Sequence, residues 1–202
     1  MKKSLLLMLV VLCAGFVPPK VAINAHRDDK TLLLTQLTET KNNLLKEVQG
    51  LSEEQLKFKP APDRWSVIEC VEHITRVEKG MYDGEQQLVK EPADPSKRAN
   101  IKITDQQIIT GVEDRSKKFK APEQFVPKDD QTPQQTIQNF ITQRDAVIAY
   151  VTNTTDDLRN HVTDKSPMGP IDAYQLLLLD AAHTNRHTQQ IVEVKNSPNF
   201  PK

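Results

Sequence analysis

Four stretches of this chain place apolar side chains at spacings of three, four and seven, a regularity that fits an α-helix and not a strand. Leu33, Leu37, Leu44 and Val48 share one face of a first helix, and Gly50 stands where it should stop. After a connection holding Pro60 and Pro62, Ser66 and Glu69 form a capping box. A second helix follows over Val67–Leu88, striped by Cys70, Ile74, Val77 and Met81. Thr132 caps a third, with Pro133 at its first position and a buried face of Ile137, Phe140, Ile141, Val147, Ile148 and Val151. Pro170 opens the last, which runs to about Lys195 and is apolar all round from Leu176 to Leu179.

The connections are polar and rich in proline. Lys90 to Asn100 reads as a loop around Pro92 and Pro95. Thr104 and Gln107 form a further capping box before a short helix carrying Ile108, Val112 and Phe119. Another loop holds Pro122 and Pro127, and Thr154 to Gly169 is irregular. No strand-like alternation of useful length and no internal repeat appears. With only 6 glycines in 202 residues, a loop-rich β fold or a glycine-built nucleotide site is disfavoured. The pattern predicts an all-α protein, a four-helix bundle with one short extra helix.

The N-terminus is of a different kind. Lys2 and Lys3 precede an apolar run from Leu5 to Val17, and polar sequence begins near Asn24. A basic head followed by a short apolar segment is the signature of a secretory signal peptide. The run falls short of the ~20 residues that span a bilayer, which weighs against a permanent anchor. Leu12 before Cys13 is larger than lipoprotein processing prefers, so a lipid-anchored form is the lesser alternative. The expected division is a signal peptide over residues 1–25 and a mature domain over residues 26–202, exported to a periplasm or the medium and without stable membrane insertion.

Export alters charge and redox chemistry. The whole chain carries 27 basic and 27 acidic residues. Removing residues 1–25 takes three lysines and no acid, so the net charge moves from zero to −3. A chain with no basic surplus lacks the electrostatic drive for binding nucleic acid. Cys70 alone remains, so no intrachain disulfide can form.

His183 and His187 lie four apart in the last helix, so their rings leave one face a turn apart, on an apolar stripe. Inward imidazoles need partners, either hydrogen bonds within the core or a shared metal ion. A third ligand must come from a facing helix, and His73 beside the stripe of the second helix is the candidate. His26 and His161 read as solvated. Three imidazoles with open positions would have the composition of a catalytic zinc site, since structural sites are closed by four ligands.

Two segments carry a family resemblance. Arg64-Trp65-Ser66, then Glu69 and His73, resembles the second-helix motif of the DinB-like, or YfiT-like, family. The segment Gly169 to Ile191 is similar to that family's last helix. Lys90 to Gln131 matches much less well. The resemblance implies a bundle of up-down-down-up type, often a homodimer, with one divalent metal on His73, His183 and His187. It implies zinc foremost, with nickel or manganese as alternatives. Some relatives are transferases or isomerases that use low-molecular-weight thiols.

The expectation is therefore a metal-dependent hydrolase or thiol-dependent transferase acting on a small molecule. The alternative is a non-catalytic metal- or ligand-binding module. Glu69, one turn before His73, and Asp180, three residues before His183, are candidates to accept a proton or orient a ring. For Glu69 the capping box is the competing role. Trp65, Arg186 and Gln190 are expected to line the pocket.

Overall fold

A computed structural model describes residues 20–202, with side chains from Asp29 onward. Most of the expected leader, residues 1–19, lies outside the described residues. Six α-helices follow in order: α1 (Lys20–Val48), α2 (Glu53–Lys57), α3 (Val67–Leu88), α4 (Asp105–Glu113), α5 (Pro133–Asn153) and α6 (Ala173–Lys195). Their starts are written in the sequence. Ser52, Ser66, Thr104, Thr132 and Asp172 each accept from the backbone N–H three residues on, and Gln or Glu at that position reaches back to the cap.

The four long helices pack around a ring in the order α1, α6, α3, α5. Side-chain pairs give their directions. Thr75, Glu78 and Glu85 of α3 meet Gln143, Arg144 and Tyr150 of α5 in ascending order, so these two are parallel. On α1, Lys30 reaches Thr154 while Lys41 pairs with Asp145, so α1 and α5 are antiparallel. Lys195 at the end of α6 meets Glu47 at the end of α1, so that pair is parallel. The result is the up-down-down-up bundle, and the parallel α3–α5 pair explains the long connection over residues 89–132.

Two apolar layers hold the bundle. Leu44, Val71, Ile74, Phe140 and Ile191 form one, and Leu33, Leu37, Val147, Leu178 and Ala181 the other. Between them lies a polar layer. Arg144 and Glu78, both 0% exposed, form a bidentate ion pair, and the same guanidinium reaches Asp180, Thr40 and Thr184. Burying these charges is tolerable only because nearly every donor and acceptor has a partner.

The structure departs from the sequence reading at several edges. α4 stops at Glu113, where Asp114 turns extended, so Phe119 is not on it and stands 75% exposed. α6 starts at Ala173 rather than Pro170, because Asp172 supplies the cap. The preceding loop forms a two-residue antiparallel ladder, Val162–Thr163 with Ile171–Asp172. α2 is an added short helix that the proline-marked connection concealed. His161, expected in solvent, is buried beside that ladder, and its carbonyl accepts from Ala173 N–H.

Candidate metal centre

His73, from the second turn of α3, and His183 and His187, a turn apart on α6, converge at the level of the polar layer. One ligand atom from each lies within 4.8 Å of the others. Ring centroids are 4.5 to 5.1 Å apart. His73 and His187 are 4% and 8% exposed, and His183 is the most open of the three. Trp65, just before the Ser66 cap, closes one side, its ring 4.6 Å from His73 and 6.0 Å from His187.

The hydrogen bonds select the tautomers. His73 Nδ1 lies 2.8 Å from the Phe125 carbonyl, which can only accept, so Nδ1 carries the proton and Nε2 a free lone pair. His187 Nδ1 lies 3.1 Å from Gln190 Oε1. The Gln190 amide orientation is corroborated by Arg115, whose Nη1 donates to the same oxygen at 3.2 Å. His187 therefore also offers Nε2. His183 Nδ1 is buried and has no partner among the described residues.

Burial holds all three rings neutral. It pushes His183 down to about 3, aided by His73, Arg186 and Arg144. Burial likewise lowers His187, with repulsion from His183 and His73 adding to it, and lowers His73 against the pull of the Phe125 carbonyl. Neutral imidazoles with bare nitrogens directed at one point are what a divalent cation requires. An orphaned buried nitrogen in the cluster agrees with that fit. The residues present suit a metal ion.

The other candidate residues are placed as follows. Glu69 accepts from Ser66 N–H and from Lys59, within its capping box. Asp180 sits behind His183 in the polar layer, one oxygen on Arg144 and the other without a partner. Burial and the neighbouring Glu78 push its carboxyl well above the usual range. Gln190 backs His187, as described. Arg186 turns away from the rings and donates to the carbonyls of Val112, Asp114 and Lys117. Cys70 is fully buried, and burial pushes its thiol up, so it is no nucleophile.

Sequence reasoning missed Arg144, Glu78, Glu72, Arg115 and Phe125. A signal for Arg144 was present, since it falls on the stripe Phe140, Val147, Val151 at helical spacing, where only an apolar residue or a paired charge can sit. Phe125 acts through its backbone carbonyl, which no side-chain pattern announces. A broad cavity of about 680 Å³ lies elsewhere, around Arg98, Asp105, Arg159 and Asp172. Its guanidinium and carboxylate groups neutralise one another.

Comparison with known proteins bears on the fold and the family. Bacillus subtilis YuaE, an uncharacterised protein, is 25% identical over 150 residues, covering 74% of this chain and 88% of its own. The solved structure of Bacillus subtilis YfiT aligns with a TM-score of 0.56 at 15% identity, covering 85% of this chain and 89% of that one. YfiT is described as a probable metal-dependent hydrolase with an unusual four-helix bundle topology. At that identity the likeness establishes the fold. The model of the DinB superfamily matches residues 36–191, from α1 through the His pair of α6, and the chain belongs to that superfamily.

Proposed function

We propose that this protein is an exported, metal-dependent hydrolase acting on a small molecule, with His73, His183 and His187 holding one divalent ion. The observation that carries this reading is the convergence of three neutral imidazoles, with ligand atoms within 4.8 Å, on a centre to which the described residues bring three protein ligands. The description of YfiT, a structural neighbour, supports the same class. Zinc is the ion that best suits three neutral nitrogen donors, with nickel or manganese as alternatives. A divalent ion on such a centre supplies Lewis acidity and lowers the pKa of a bound water or thiol.

The chain's own residues prepare that centre. Phe125 and Gln190 hold two imidazoles in the tautomer that presents Nε2. Trp65 shields one flank from water. A thiol-dependent transferase is the neighbouring chemistry, and its thiol must come from a cosubstrate because Cys70 is buried.

One observation favours a second reading, a non-catalytic metal- or ligand-binding module. The carboxylates of Glu69 and Asp180 are engaged with Lys59 and Arg144 rather than with the imidazoles. Elemental analysis and activity profiling separate the two. The enzyme reading expects about one equivalent of metal and turnover of simple esters, amides or thiol adducts that His187→Ala abolishes. Turnover indifferent to that substitution would sink it, and metal without turnover would leave the module. N-terminal sequencing of the mature protein after cell fractionation tests export, and light scattering tests the homodimer.

A further inference from the structure

The connection between α4 and α5 wraps over the histidines and is pinned at both ends by the residues that immediately precede two of them. At its start, Arg186, next to His187, donates to three backbone carbonyls, those of Val112, Asp114 and Lys117. At its end, Glu72, next to His73, accepts from the backbone N–H groups of Lys128 and Asp129 at 2.9 and 3.1 Å. Asp129 turns the chain there with a left-handed φ of 52°, a conformation that Asp adopts more readily than most non-glycine residues. Between the pins the strap returns two contacts. The Phe125 carbonyl accepts from His73 Nδ1, and Arg115 fixes the Gln190 amide that accepts from His187 Nδ1.

Gly80 makes this approach possible. A Cβ there would stand 3.1 Å from the Phe125 ring, so a larger side chain would lift Phe125 off α3 and take its carbonyl from His73. The strap therefore touches α3 and α6 at the rings and beside them, and nowhere does it offer a side-chain ligand of its own.

We propose that Glu72 and Arg186 are positioning residues of the metal centre, acting through a strap of residues 112–129 that orients two of the three imidazoles. This rests on the metal-binding reading above. Helix geometry explains why neighbours of the ligands do the work. Adjacent residues on a helix diverge by about 100°, so Glu72 and Arg186 point sideways to the strap while His73 and His187 point inward. Because the strap and the ion act on the same rings, binding and strap order must favour each other reciprocally.

The test uses the mature full-length protein with Glu72→Gln, Arg186→Gln, Arg186→Lys and Gly80→Leu variants. Zinc affinity is measured by competition with a chromophoric chelator. Loss of outer contacts to metal-bound histidines typically weakens binding roughly 10- to 100-fold, and that is expected for Arg186→Gln and Gly80→Leu, with partial rescue by Arg186→Lys. Two readouts exclude a merely structural role. The ligand-field spectrum of bound cobalt(II) should shift in the variants, and zinc should slow amide exchange of residues 112–129 in the wild type only. Folded variants with wild-type zinc affinity and cobalt spectrum would overturn the proposal while leaving the metal centre intact. A wild type that takes up no metal would overturn both.

Discussion

Arg144 is a fully buried cation at the centre of the polar layer. Its guanidinium lies 2.9 and 3.0 Å from the two oxygens of Glu78, and also bonds Asp180, Thr184, Thr40 and the Leu37 carbonyl. That ties all four long helices through one side chain. Removing it would strand two carboxyl groups in the core without their cation. Breaking a buried ion pair in this way costs about 3–5 kcal/mol, so Arg144→Met should lower unfolding stability by that order in urea titrations. Replacing Glu78 and Asp180 by leucine at the same time should restore most of the loss. A single-variant loss under about 1 kcal/mol would mean the network contributes little. The same residue shows what a sequence discloses. Its position on the α5 stripe was visible, whereas its partners lay on three other helices and became legible only once the bundle's ring order was known.

At the scale of elements, the end of α3 and the end of α5 are joined by one phenol. Tyr150 Oη lies 2.8 Å from Glu85 and 2.9 Å from Asp156, yet it has one proton to give. The second contact needs a proton on a carboxyl group. Burial favours Glu85 as its holder, raising that carboxyl above the ordinary glutamate value. The sign follows from linkage. Above the ordinary glutamate value the unfolded chain releases this proton while the folded chain keeps it, so stability falls as pH rises through that window. Glu85→Gln, which keeps a neutral partner for Tyr150, should flatten this dependence and stabilise the protein at neutral pH. Urea midpoints at about pH 5 and pH 7.5 would check it; an unchanged slope would assign the dependence to other groups.

Element by element, the helices were the legible part of the chain, because caps and apolar spacing are local. Ser66 and Glu69, Thr104 and Gln107, and Thr132 announced three starts, and the structure uses each. The last helix began three residues later than Pro170 because Asp172 and Gln175 form a capping box there, a local signal that the sequence reading passed over. His183 and His187 could be paired from spacing alone, His73 was the candidate third ligand from its place beside the stripe of α3, and the family resemblance implied the same three. The strap stayed opaque, since its pins bind backbone groups and leave no pattern in side-chain type.

At the scale of the whole molecule, the metal would join what the sequence leaves unjoined. Among the described residues there is no disulfide, and α3 and α6, which supply the ligands, are separated by residues 89–172. An ion on His73, His183 and His187 would bridge them at the middle of the bundle, where the structure already spends buried polar groups. Binding only the folded state stabilises it by RT ln(1 + [L]/Kd), about 2.7 kcal/mol at a free concentration of 100 Kd. For a domain of this size each kcal/mol shifts Tm by ~2–4 °C, so loading should raise Tm by roughly 5–11 °C. His183→Ala removes the donor without disturbing either pin of the strap, and should abolish the shift while keeping the metal-free Tm close to that of the wild type. Calorimetry with and without chelator reads this directly. Equal Tm values for loaded and stripped wild type, at saturating zinc, would show that the three histidines do not act together on one ion.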